Sequence, residues 1–172
     1  MRNTLIHLIE LALRWHVAIS MFVYGIAKTV QFDATTENDA PVNSLTGQQL
    51  MWAFYGYSLT YAKFLGVVEM AGAALLLFRR TTLLGCLLTS AVLVNVVVQD
   101  LVYDVNRGAL LAAMLYQCLV VVVLFLNASR VREVFRALTA PVPASGVRWY
   151  VLVLGASGIL ALTLSVEYLL TH

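Results

Sequence analysis

An all-α, polytopic membrane protein is the fold class this sequence predicts, on three observations. Hydrophobic residues make up 61% of the chain and charged residues 12%, about half the charged share of a typical soluble domain. The stretches 81–99, 108–129 and 149–166 carry no charge, and each is close to or above the roughly 18 apolar residues that mark a candidate membrane span. Basic residues crowd two connections between apolar runs, and acidic residues occupy the alternate ones, as in loops on opposite faces of a bilayer.

Taken in order, the first span is expected at about 5–27 and is the least apolar, with Glu10, Arg14 and His16 inside it. The short apolar core and small-residue cleavage site of a signal peptide are both missing, so this helix is expected to be retained. A polar acidic loop with Asp33, Glu37, Asp39 and Pro41 follows. Thr46 and Gln49 then fit a capping box, in which the hydroxyl and the amide satisfy free N–H groups at a helix start. The short helix it predicts carries Leu50, Met51, Trp52, Phe54 and Tyr55, an aromatic surface suited to the membrane–water interface. Further spans are expected at about 59–78, 83–103 and 109–126. Residues 1–138 form a four-helix unit, 139–148 a Pro-containing linker, and 149–170 a fifth span.

Arg79 and Arg80 fill one connection, and Arg130, Arg132, Arg136 and Arg148 another. Their placement gives a cytoplasmic N-terminus and an exterior C-terminus by the positive-inside rule. The net charge of +2 speaks of topology and not of nucleic acid. Cys86 and Cys118 are the two cysteines. They form no CxxC pair, which argues against a built-in dithiol.

Residues 66–104 organise the rest. Two apolar runs meet at the Arg79-Arg80 corner, with Glu69 in one and Asn95, Gln99 and Asp100 in the other. Counting 1.5 Å per residue from the exterior ends puts Glu69, Asn95 and Gln117 at roughly 12–15 Å depth, in one layer. Tyr24, Lys28, Gln99 and Asp100 lie above that layer, and Arg14 and His16 below it. Ala62, Gly66, Glu69 and Ala73 share a small-residue face that lets a neighbouring helix approach closely. Asn95 and Gln99, four apart, share a face of their own span.

Each polar residue also has a structural reading. Arg14 can pair with Glu10 one turn earlier, and Lys28 can snorkel to the surface. Asn95, Gln99 and Gln117 can serve as interhelical hydrogen-bond glue, His16 as a packed residue, and Asp100 and Asp104 as caps. Glu69 is the hardest to dismiss, because a carboxyl group deep in a bilayer costs several kcal/mol unless paired or protonated. It is the candidate catalytic group. Arg14, Tyr24, Lys28, Asn95, Gln99, Asp100, Tyr103, Asp104 and Gln117 are the candidate ligand-binding residues.

No metal-ligand set is expected. The intramembrane histidines His7 and His16 share one helix, so they cannot face each other across a haem, and a four-Cys iron–sulfur set is missing. HExxH, GxSxG and Gly-rich phosphate motifs are absent as well.

Four segments carry a resemblance to a family. They are Arg14 followed by Tyr24-Gly25-x-x-Lys28-x-x-Gln31-Phe32; Trp52-Ala53-Phe54-Tyr55-Gly56; Gly66-x-x-Glu69-x-x-Gly72 leading to Phe78-Arg79-Arg80-Thr81; and Asn95 through Tyr103-Asp104-Val105. Over about residues 10–136 the chain resembles the DoxX-like family of small bacterial membrane proteins. The resemblance implies a four-helix bundle with polar residues of its first three helices gathered inside. It adds family-pattern positions at Tyr24, Lys28, Glu69, Asn95, Tyr103 and Asp104. Relatives of that family have been linked to thiosulfate:quinone oxidoreductase, methylamine-utilisation maturation, and membrane complexes for oxidative or thiol stress. Where close relatives read Tyr-Asp-Val-Pro-x-Lys, this chain has Asn106-Arg107-Gly108 after Val105.

Two functions are therefore expected, in different classes. One is a redox-linked subunit of the bacterial inner membrane that binds a quinone or small polar ligand within the bundle. The other is a non-catalytic accessory or assembly protein that presents its exterior loop, 32–58, to a protein partner, with homo-oligomerisation left open. A transporter ranks third, because no repeated broken-helix pattern is present.

Overall fold

Residues 2–32, 41–141 and 146–171 are described by a computed structural model, and among them every regular element is helical. The helices are α1 (Arg2–Gln31), α2 (Gly47–Tyr57), α3 (Leu59–Leu77), α4 (Thr82–Val102), α5 (Arg107–Leu126), α6 (Ala128–Leu138) and α7 (Trp149–Thr171), with a 3-10 turn Val42–Ser44 before α2. Among the described residues, five helices are long and apolar enough to cross a membrane: α1, α3, α4, α5 and α7. Asp33, Glu37, Asp39 and linker residues 142–145 lie outside the described residues.

Two compact units divide the chain, Met1–Val134 and Phe135–His172. In the second, α7 is predominantly apolar, with Glu167 its one charged residue, and has no buried residue. In the first, α1 packs on α3, α3 on α4, α4 on α5, and α5 back on α1. The core of this ring draws Val17 and Met21 from α1, Ala73 and Leu76 from α3, Cys86 and Leu93 from α4, and Val120 and Val123 from α5.

Helices α1 and α3 approach each other closely. The buried residues of α3 are Ala62, Gly66, Glu69, Gly72, Ala73 and Leu76, a stripe at helical spacing in which small side chains predominate. A Cβ placed on Gly25 would fall 2.7 Å from the Gly66 carbonyl oxygen, and one on Gly66 would overlap the Gly25 carbonyl oxygen. The two backbones thus touch, and only hydrogen fits at either position.

Helix ends are set by side chains. The Thr46–Gln49 box forms as its sequence requires: Gln49 N–H donates to Thr46 Oγ1 at 3.3 Å, and Thr46 N–H to Gln49 Oε1 at 2.9 Å. Asn106 caps α5, accepting from the Gly108 and Ala109 N–H groups at 2.7 and 3.3 Å. The Asn106-Arg107-Gly108 departure thereby supplies a helix start. Asp104 has φ of 47°, and the Val105 N–H donates back to the Asp100 carbonyl at 3.2 Å. This left-handed stop ends α4.

One stretch adds to the sequence reading. Arg130, Arg132 and Arg136 were expected as part of a connection, and the structure adds that they belong to a helix, α6. The physical reason lies between them: Val131, Val134, Phe135 and Leu138 recur every three to four residues and make an amphipathic helix.

Candidate functional site

The glycine contact also positions charge. Lys28 lies three residues after Gly25 and Glu69 three after Gly66, so each shares a helix face with its glycine. Closing the backbones therefore brings Lys28 Nζ to 3.3 Å from Glu69 Oε1. The Glu69 side chain is 3% exposed and that of Lys28 15%. The ion pair offsets part of the several kcal/mol that an unpaired carboxylate would cost there. Lys28 Nζ also sits 5.8 Å from the centroid of the Phe32 ring, within cation–π range.

A second polar chain descends from α2 onto α4. Tyr55 donates its hydroxyl to Gln99 Oε1 at 2.8 Å, and Gln99 Nε2 donates to Asn95 Oδ1 at 2.6 Å. Bonds in series of this kind polarise one another. Tyr55 is buried, stacked on Phe32 at 4.9 Å and on Tyr61 at 6.2 Å. Burial pushes its phenol above the ordinary tyrosine range, with the Gln99 hydrogen bond acting in the opposite sense.

Between these two chains lies a cavity of about 600 Å³, within the size range of small-molecule sites. Its polar lining is Lys28, Gln31, Glu69, Asn95, Gln99 and Asp100, and its aromatic lining includes Tyr24, Trp52, Tyr55, Tyr61 and Tyr116. Glu69 Oε2 and Asp100 Oδ2 are buried and have no hydrogen-bond partner among the described residues. Buried polar atoms are nearly always paired; Thr89 Oγ1 and Gln117 Oε1 are unpartnered too, but only Glu69 and Asp100 of the four residues line the cavity. Flat apolar walls, one cationic donor and free acceptors suit a flat, amphipathic molecule with oxygen substituents.

Six of the sequence-selected residues line this cavity: Tyr24, Lys28, Glu69, Asn95, Gln99 and Asp100. Four lie elsewhere. Arg14 is buried towards the Arg79 end, where Nε donates to the Leu76 carbonyl at 2.7 Å and an Nη to the Leu77 carbonyl at 2.9 Å. It caps α3 and sits 3.7 Å from Glu10. Glu10 Oε1 accepts from Asn127 Nδ2 at 2.9 Å, which closes a buried network on the turn between α5 and α6. Gln117 faces α4, donating to Ser90 Oγ at 3.1 Å. Tyr103 and Asp104 form the end of α4 and the turn after it. Both cysteines are free, Cys86 buried and Cys118 exposed.

Tyr116 was not selected from the sequence, although it sits beside Gln117. Its ring meets Tyr24 edge-on at 6.0 Å and His16 at 5.9 Å. An isolated tyrosine in an apolar run carries no signal of its own. Tyr55 was visible only as one of an aromatic group.

No family model matches the chain, and no solved structure does. The uncharacterized protein YwoB of Bacillus subtilis is 33% identical over 126 residues, which covers 72% of this chain and 79% of YwoB. Identity at that level over that much of both proteins makes this chain a member of the YwoB family.

Proposed function

We propose that this is a DoxX-like integral protein of the bacterial inner membrane, a redox-linked subunit that binds a quinone-type ligand in the cavity beneath α2. The observation that carries the reading is the meeting of the Lys28–Glu69 pair, the unpartnered Glu69 and Asp100 oxygens and the aromatic walls in one space of about 600 Å³. Lys28 is placed to donate to a carbonyl oxygen, and Glu69 Oε2 and Asp100 Oδ2 to accept from hydroxyl groups. Trp52, Tyr55 and Tyr24 give a ring flat apolar surfaces to lie against. A bound quinone would supply two-electron, two-proton redox chemistry. The chain's share is to orient the ring, exclude water and hold a proton at Glu69. In this reading the α2 end faces the exterior and the Arg79–Arg80 corner faces the cytoplasm.

The test is lipid extraction of protein purified in mild detergent, followed by chromatography for quinones. Near-stoichiometric quinone that Glu69→Gln abolishes is the expected result. Absence of quinone from the wild-type protein under the same conditions would overturn the reading.

A second reading, a non-catalytic accessory or assembly protein, is favoured by the outward face of α2. Phe54, at the cavity's edge, is 62% exposed and Tyr57 91%, an aromatic surface that a protein partner could cover. Crosslinking in whole cells decides it: replacing Phe54 and Tyr57 with serine should release the partner, and a partner still bound to that variant would sink the idea.

A further inference from the structure

We propose that α6 and the α3–α4 corner form a docking surface for the anionic phospholipid headgroups of the surrounding bilayer, independently of what the cavity binds. Arg130 donates from Nη1 to the Arg79 carbonyl at 3.0 Å and from Nη2 to the Arg80 carbonyl at 3.5 Å. These bonds tie the first turn of α6 to the ends of α3 and α4, where apolar helices long enough to span a membrane stop. At 11 residues, α6 extends only about 16 Å, far short of the roughly 30 Å hydrocarbon core. It belongs at the membrane surface, not across it.

The two sides of α6 suit that position. Val131, Val134, Phe135 and Leu138 share one face, and all four are exposed. Arg132, Glu133 and Arg136 lie on the opposite face, with Arg130 on the flank. Such a helix lies in the interface plane with its apolar side in the acyl boundary.

Charge selects the kind of lipid. Arg79, Arg80 and Arg132 have exposed side chains, and among the described residues none is ion-paired with a carboxylate. Glu133 is the acid nearest them in sequence and forms no ion pair with them either. Guanidinium groups match phosphate geometry with paired N–H donors. A juxtamembrane arginine is worth about fivefold in preference for an anionic over a neutral surface. The occupant that fits both the apolar face and the unpaired arginines is phosphatidylglycerol-type lipid.

Two measurements on the full chain test this. In native mass spectrometry with equimolar phosphatidylglycerol and phosphatidylcholine, the wild type should retain phosphatidylglycerol several-fold over its competitor. The preference should fall to parity when Arg79, Arg80 and Arg132 are all changed to Gln, and millimolar free phosphate should not displace the lipid. Separately, spin labels are placed through Phe135→Cys or Glu133→Cys on a Cys86→Ala, Cys118→Ser background, in phosphatidylglycerol nanodiscs with every arginine intact. Position 135 should be relaxed mainly by oxygen and position 133 by a water-soluble nickel chelate. Equal retention of the two lipids by the wild type, a preference that survives the arginine changes, displacement by free phosphate, or reversed label accessibility would each overturn the proposal.

Discussion

Replacing Gly25 with alanine tests the link between the helix crossing and the ion pair. The new Cβ would stand 2.7 Å from the Gly66 carbonyl oxygen and 2.7 Å from Met70 Cγ. The methionine can turn away, but the carbonyl is helix backbone and cannot. Reaching an ordinary contact of about 3.4 Å requires α1 and α3 to separate by roughly 0.7 Å near the crossing. Lys28 and Glu69 lie one turn beyond it, so their 3.3 Å approach opens to about 4 Å, the edge of ion-pair distance. Overpacking of this kind costs about 1–3 kcal/mol, and weakening a buried pair adds to it because the carboxylate keeps its desolvation cost. The assay is a double-mutant cycle with Lys28→Met and Glu69→Gln, read as unfolding free energy in bicelles, run once with Gly25 and once with Gly25→Ala. The Lys28–Glu69 coupling should exceed about 1 kcal/mol with glycine and fall by at least half with alanine. An equal coupling in both backgrounds would refute the claim that the glycine contact sets the pair.

Other predictions concern the supports of the site. Arg14→Leu should lower stability by about 2–4 kcal/mol, because it strips the Leu76 and Leu77 carbonyls of donors and leaves Glu10 without its arginine. Arg14→Lys should recover under half of that in the same unfolding assay, since an ammonium cannot reproduce the two-carbonyl fork. Asp104→Gly should stabilise by about 0.5–1 kcal/mol by relieving the positive φ, whereas Asp104→Val should destabilise by at least as much. Tyr55→Phe removes the Gln99 bond and should cost about 1 kcal/mol near neutral pH. Since folding raises the Tyr55 phenol, its contribution is complete below the unfolded value of about 10 and is lost as pH climbs through the higher folded one. An unfolding titration from pH 8 to 12 should thus show a steeper alkaline loss for wild type than for Tyr55→Phe.

Local chemistry was the legible part of this sequence. The Thr46–Gln49 box, the small-residue face around Glu69 and the Asn95–Gln99 adjacency each depend on residues within a turn or so of one another, and all three are found in the structure. Position around a helix was less legible. Gln117 was placed level with Glu69 and Asn95, yet it faces Ser90, because counting residues gives height and leaves azimuth free. Arg14 shows the same limit: nothing near it in sequence points to the carbonyls of Leu76 and Leu77. The α6 helix escaped because its arginines carry the topology signal, and that signal masked the apolar residues spaced between them. Asp104 takes a left-handed conformation that short polar side chains tolerate, so it could be read as a helix stop or as a ligand.

The Glu10–Asn127 hydrogen bond has a consequence for biogenesis. Its partners are 117 residues apart, and the carbonyls that engage Arg14 come 62 and 63 residues after it. A ribosome adding about 5–20 residues per second needs on the order of 10 s to cover the longer gap. During that interval Glu10 and Arg14 have each other as partners within α1, while the groups they bond elsewhere in the chain have not yet been synthesised. The helix made first is thus the one whose polar groups are satisfied last. The buried Glu10 therefore lacks its Asn127 donor until the turn after α5 has been made.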